Sequence, residues 1–157
     1  MTETPSVLFV CLGNICRSPL AEAAMRLAAS DAGVDIEVDS AGTSGWHVGE
    51  PPDDRARATA LRHGTDIGGY RGRQVDREDF TRFTHIIALD RSNMAKLKAL
   101  RPKDSTAKLS MLMDHVPGDG GRDVKDPYYG GASGFEDTWS VVTKGAEGLL
   151  QAIRSGE

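Results

Sequence analysis

Cys11 and Arg17 stand six positions apart in the run Val7-Leu8-Phe9-Val10-Cys11-Leu12-Gly13-Asn14-Ile15-Cys16-Arg17-Ser18-Pro19. A cysteine attacks as its thiolate, so a reactive cysteine needs surroundings that favour the anion. Three features of this run do so. Ser18-Pro19 reads as an N-cap followed by proline at the first helical position, which turns the positive end of a helix toward the loop. Gly13-Asn14 can take positive φ and point successive N–H groups inward as an anion nest. Arg17 adds a planar cation able to grip two phosphate oxygens. Ser18 can also donate its hydroxyl to the sulfur. The same groups would hold a tetrahedral oxyanion and stabilise charge on a transferring phosphoryl group. The chemistry this suggests is attack by Cys11 to give a phosphocysteine, followed by its hydrolysis.

Such chemistry also requires an acid to protonate the leaving oxygen. Asp126 fits, in Asp126-Pro127-Tyr128-Tyr129-Gly130, where flanking aromatics could exclude some water. Each half has a plainer reading. Cysteine is often a small buried apolar residue. With 13 arginines in 157 residues, an Arg at that spacing arises by chance about once in twelve. An aspartate before proline is a common turn residue.

The elements that must position these groups alternate between strand-like and helix-like. Ser6–Val10 is a short apolar run of buried-strand type. A helix follows from Ser18-Pro19 to Gly33, with Leu20, Ala23, Ala24, Leu27 and Ala28 on one face. Val34–Val38 alternates and predicts a second strand. Asp39–Pro52, rich in Gly, Ser and Pro, predicts a loop that carries Trp46. Asp53 or Asp54 caps a helix to about His63, and residues 68–73 are irregular. A short helix over Asp76–Phe83, a buried strand over Thr84–Leu89, a helix over Asp90–Leu100 and a strand over Ala107–Leu112 come next. Pro117–Gly134 is a long loop of the kind that carries function. Phe135, Trp139, Val142, Ala146, Leu149 and Ile153 mark the buried face of a last helix. The pattern predicts a three-layer α/β/α sandwich around a central four-stranded parallel sheet, in a single domain over residues 1–157. Ligands of such sheets bind beyond the carboxyl ends of the strands, where Cys11 and Leu89-Asp90 would lie.

Composition bounds the rest. A net charge of -4 and a pI near 5.6 argue against general nucleic-acid binding, though not against a local basic pocket. Two cysteines five positions apart make no disulfide framework and point to a reducing cytoplasm. Met1–Ser6 has no basic run, the apolar stretch after it is short for a signal peptide, and no segment reaches membrane-spanning length. His47, His63, His85 and His115 lack metal-ligand spacing, so neither a metal nor another cofactor is expected.

With both loops quoted, the chain resembles the low-molecular-weight protein tyrosine phosphatases. Cys11 through Pro19 matches that family's phosphate loop, and Asp126-Pro127-Tyr128-Tyr129 its general-acid loop. Asp39-Ser40-Ala41-Gly42-Thr43 and Asp90-Arg91-Ser92-Asn93 match further, in the family's order along nearly the whole chain. The resemblance implies phosphotyrosine-containing protein substrates. It implies Cys11 as nucleophile, Arg17 as phosphate ligand and Asp126 as acid and then base. Ser18 would stabilise the thiolate, and Asn14 with Ser40 would hold the loop, whose other members are Leu12, Gly13, Ile15 and Cys16. Leu12, Trp46, Tyr128 and Tyr129 would form a slot for a phenyl ring. Asp90 would support the site. Cys16 could trap an oxidised Cys11 as a disulfide.

One departure stands out. Many relatives carry a histidine shortly before the Arg-Gln that here is Arg73-Gln74, bracing the phosphate loop; here Tyr70 falls near that place. Three other readings exist. Arsenate reductase on this scaffold relays oxidation through later cysteines, and none follows Cys16. Phosphoarginine phosphatases of the family tend to have a small polar residue where Ile15 stands and a different aromatic after the acid-loop proline. A non-catalytic anion-binding module would need neither a thiolate nor an acid.

Overall fold

The computed structural model describes residues 4–128 and 131–156. Strand β1, Ser6–Cys11, is the centre of the molecule, and all six of its residues are buried. Its side chains alternate between two cores. Val7, Phe9 and Cys11 face one, with Leu20 and Met25 of helix α1 (Arg17–Ala32) and Phe135, Trp139, Val142 and Leu149 of helix α5 (Ala132–Arg154). Leu8 and Val10 face the other, with Phe80 of helix α3 (Asp79–Arg82), Phe83 and Leu97 of helix α4 (Arg91–Leu100). Burial on both faces is why the strand reads as an unbroken apolar run.

Around β1 lie β2 (Glu37–Gly42), β3 (His85–Ala88) and β4 (Lys108–Met111), in the order β2-β1-β3-β4 and all parallel. Helices cover both faces, which gives the three-layer α/β/α sandwich. From β1 the chain runs first to one side and later to the other, so the carboxyl ends of β1 and β3 flank the switch point where such sheets bind ligands. Helix α2 (Asp54–Arg62) sits beside that edge, with Asp53 as its N-cap accepting the Arg55 N–H.

Three sequence expectations shift. The second strand is not Val34–Val38 but Glu37–Gly42, paired in register from Ser6↔Glu37 to Cys11↔Gly42. Val34 and Ile36 instead lead into the sheet and pack on its core. Asp39 and Ser40 look like loop residues but are spent on side-chain bonds at the site, and this hides the strand. Helix α1 begins at Arg17 with Cys16 as N-cap, and no side chain caps it. Ser18 is therefore inside the first turn, and its hydroxyl is used elsewhere. Helix α3 is shorter than expected, because Asp76 and Asp79 form a hydrogen-bonded turn before it.

Helix α5 closes the larger core by lying against the 3-10 turn Leu112–His115. A Cβ at Gly148 would overlap the His115 carbonyl, whereas one at Gly134 would meet only the Pro127 Cβ at 3.7 Å. Alanine normally favours a helix over glycine by about 1 kcal/mol. Gly148→Ala is expected to reverse that sign and destabilise by about 1–3 kcal/mol, the cost of overpacking against backbone. Gly134→Ala is expected to be neutral or stabilising. Urea unfolding of the two variants at matched m-values checks both signs.

Candidate active site

The segment from Cys11 to Arg17 wraps around a single strained residue. Asn14 has φ 58°, the one positive φ outside glycine among the described residues. Asparagine tolerates this region when its side chain is tied locally. Here the ties are three. Asn14 Nδ2 donates to Ser18 Oγ at 2.8 Å and to Ser40 Oγ at 3.0 Å, and Asn14 Oδ1 accepts the Arg73 N–H at 3.0 Å. Arg73 is brought there by a bridge between Gly42 at the end of β2 and Gln74. Its guanidinium forks onto Asp79 at 3.0 Å on both arms and also reaches Asp39.

These bonds leave hydroxyl hydrogens available to further acceptors. Ser18 Oγ accepts from Asn14, so its own hydrogen is left for Cys11 Sγ, 3.0 Å away. The Asn14 N–H donates to the same sulfur at 3.3 Å. Ser40 accepts from Asn14 and donates to Glu22 Oε1 at 2.7 Å. Glu22 is buried; burial pushes its carboxyl above the usual range, against the pull of Ser40 and Arg26. Arg26 grips its other oxygen through Nε and Nη2 at 3.0 and 2.8 Å. Tyr70, near the position of the family's bracing histidine, lies half-buried with its ring centroid 6.0 Å from the Arg26 guanidinium. Burial, with the nearby Glu22 charge, pushes its hydroxyl up to about 12. The contact to Asn14 comes from the Arg73 backbone instead.

Arg17 is buried at 3% exposure. Its Nη1 donates to Asp90 Oδ2 at 2.7 Å and to the Val124 carbonyl at 2.9 Å. Burial opposes its charge, but Cys11 and Asp90 more than offset this and raise its pKa above the ordinary arginine value. Asp90 is also the N-cap of α4 through its other oxygen. The Val124 N–H donates to the Leu89 carbonyl at 2.8 Å. Arg17 and the end of β3 together thus pin the segment that leads to Asp126. Asp126 Oδ2 lies 3.7 Å from Arg17 Nη2, and its side chain is 41% exposed, more open than its aromatic neighbours suggest.

The result is a pocket of about 180 Å³. Cys11, Gly13, Cys16 and Arg17 belong to it, with Leu12, Ile15, Trp46 and Tyr128 as its apolar lining and Asp126 at its edge. Asn14, Ser18, Ser40 and Asp90 lie outside this lining, in the bonds described above. Tyr129 lies outside the described residues. Both cysteines are free thiols. Burial, and next to it the Asp53 charge, pushes the Cys16 thiol far up, so it stays protonated.

Two neighbours were not anticipated. His47 lines the pocket, its ring packed over Gly13 and its Nδ1 2.9 Å from Glu50. Adjacency to Trp46 was the available signal, and an isolated histidine in a glycine-rich loop does not carry it far. Arg55, on α2, reaches the Tyr128 carbonyl at 2.9 Å. Nothing local in its helix announces that. Among the described residues no group of His, Cys, Asp or Glu is arranged to hold a metal ion, and no helix is long and apolar enough to cross a membrane.

Known proteins resemble this chain in sequence and fold. The family model for low molecular weight phosphotyrosine protein phosphatase matches residues 6–156. The low molecular weight protein-tyrosine-phosphatase YfkJ of Bacillus subtilis is 42% identical over 151 residues, 95% of this chain and 96% of YfkJ. The crystal structure of YfkJ superposes with a TM-score of 0.91 over 99% of this chain and 98% of that one, at 39% identity. A Drosophila arginine phosphatase superposes at 0.86, with 33% identity over 96% of this chain and 99% of its own. A match of this extent places the chain in the low molecular weight phosphotyrosine protein phosphatase family, whose members are phosphoric monoester hydrolases.

Proposed function

We propose that this protein removes phosphate from phosphotyrosine in proteins, without a metal, through a phosphocysteine on Cys11. One observation carries the reading. The sulfur, the Arg17 guanidinium and the Asp126 carboxyl meet in a single pocket with an aromatic and aliphatic lining. In the first step the Cys11 thiolate attacks phosphorus and the P–O bond to the phenol breaks. Asp126 gives its proton to the departing oxygen. Arg17 and backbone N–H groups of the loop other than that of Asn14 hold the three equatorial oxygens. In the second step Asp126, now a carboxylate, takes a proton from water. That water attacks phosphorus, the S–P bond breaks, and inorganic phosphate leaves with the thiolate restored. Ser18 and the Asn14 N–H, both aimed at the sulfur, support the thiolate as attacker and as leaving group.

The lining supports the substrate. Ile15, Trp46 and Tyr128 suit a flat apolar ring. Relatives that act on phosphoarginine tend to be small and polar where Ile15 stands. The family match over residues 6–156 supports reading residues 1–157 as a single domain. Two free, buried thiols suit a reducing cytoplasm.

Two outcomes are expected. Cys11→Ser loses hydrolysis of aryl phosphates in metal-free buffer, and Asp126→Asn lowers kcat/KM for phenyl phosphate by about 10²–10⁴-fold, the range of general-acid catalysis. Full activity of the serine variant removes the covalent mechanism. Given equal amounts of a phosphotyrosine and a phosphoarginine peptide, the protein is expected to consume the tyrosine peptide first, by phosphate release and mass spectrometry. Preference for the arginine peptide overturns the substrate assignment.

A further inference from the structure

Residues 53–55, at the start of helix α2, join the two loops of the site. The Asp53 N–H donates to the Ile15 carbonyl at 2.9 Å, which ties the helix cap to the phosphate loop. The Asp53 carboxylate receives a fork from Arg55, Nε to Oδ1 at 3.0 Å and Nη2 to Oδ2 at 3.1 Å. A forked pair fixes the plane as well as the place of a guanidinium. That plane lies between two rings, with Cζ 4.7 Å from the Phe135 centroid and 5.5 Å from that of Tyr128. From there Arg55 Nη2 donates to the Tyr128 carbonyl at 2.9 Å.

Tyr128 is itself bonded to Asp126. Its N–H donates to Asp126 Oδ1 at 3.0 Å. With Oδ1 held there, Oδ2 is the oxygen turned toward Arg17, at 3.7 Å. On the side before Asp126, the segment is pinned at Val124 by Leu89 and Arg17. On the side after it, the tether is Arg55.

We propose that Arg55 is a positioning residue for the acid step. It transmits the location of the phosphate loop, through Asp53 and the Tyr128 peptide, to the carboxyl oxygen that delivers the proton. The inference rests on the phosphatase reading above. Its consequence is specific, because Arg55 is not among the residues that line the pocket. Loss of Arg55 acts on proton delivery and leaves phosphate binding intact. Small misplacements of a reacting group cost up to about 10²-fold in rate.

The test compares wild type with Arg55→Met, Arg55→Lys and Asp126→Asn, and with the double variant Arg55→Met/Asp126→Asn. The kcat/KM is measured for aryl phosphates from 2,4-dinitrophenyl to phenyl, since it reports steps up to phosphocysteine formation. Arg55→Met is expected to lose about 10–10²-fold with phenyl phosphate and about twofold with the dinitrophenyl ester, whose leaving group needs no proton. Inhibition by inorganic phosphate is expected to stay within about twofold of wild type, and this also reports an intact pocket. Arg55→Lys is expected to share the defect, because an ammonium keeps the charge but lacks the fork. In the Asp126→Asn background the Arg55 change is expected to add nothing, as for two groups acting through one step.

Equal losses across all leaving groups, full rescue by lysine, or additive losses in the double variant would each overturn the positioning role. Should Arg55→Met be unfolded, the lysine variant carries the same leaving-group test. A wild type that hydrolyses no aryl phosphate would instead bring down the phosphatase reading, and this inference with it.

Discussion

The left-handed turn at Asn14 is the constraint on which the site depends. A non-glycine residue at φ 58° costs about 1–3 kcal/mol and persists where its surroundings over-determine it. Here they do, with three hydrogen bonds from one amide reaching helix α1, strand β2 and the segment at Arg73. Each partner comes from a different element, so the turn is only as well placed as the packing of all three. The turn in return sends the Asn14 N–H to the sulfur. The amide cannot flip without losing Arg73 as donor. Its orientation therefore makes Ser18 an acceptor from the amide, with its own hydrogen available to a Cys11 thiolate. Removing any member reorients protons as well as deleting a contact.

Arg17 is the second fixed point, and its burial explains its company. A guanidinium at 3% exposure would be costly alone, since a buried charge must be matched by partners. Asp90 supplies the counter-charge, and the same carboxylate caps α4, so its position is set by a helix rather than by Arg17. The Val124 carbonyl takes a second hydrogen from Nη1. This spends one end of the fork on the fold. The other end, Nη2, faces Asp126, with the thiol side of the pocket beside it. One end of the guanidinium is thus committed to the fold while the other faces the pocket, a division that lysine, with a single point charge, would not reproduce.

The sequence made much of this legible, and unevenly. β1 could be read because burial on both faces leaves an unbroken apolar run, and α5 because one face repeats at helical spacing. The edge strand β2 was misplaced. Its residues Asp39 and Ser40 are polar because they bond to Arg73, Asn14 and Glu22, and such residues look like a loop to any pattern built on apolar alternation. Ser18 was legible as a partner of the sulfur but not as an interior helix residue. The helix begins at Arg17 with Cys16 as its N-cap, so the Ser18 oxygen accepts from Asn14 instead of from a first-turn N–H. His47 and Arg55 act across distances in sequence that no local motif records. Tyr128 and Arg55 are 73 positions apart, and tertiary packing, α2 against α5 included, brings them together.

The substitution at Tyr70 shows which part of the bracing is tied to side-chain identity and which is not. A histidine there could approach Asn14 through a ring nitrogen. In this chain the Asn14 carbonyl oxygen is met by a backbone N–H, from Arg73, and a backbone donor needs no particular side chain. What must then be managed is the buried Glu22 carboxylate, which needs a nearby cation. Arg26, one turn along α1 from Glu22, provides it with a two-pronged bond and a further bond to the Val38 carbonyl. Tyr70 lies beside that guanidinium with its hydroxyl pushed up to about 12, so it stays neutral and adds no second charge next to Glu22. In this chain the positive charge beside Glu22 comes from helix α1. The polarity delivered to Ser40, and through Asn14 and Ser18 to the sulfur, is kept.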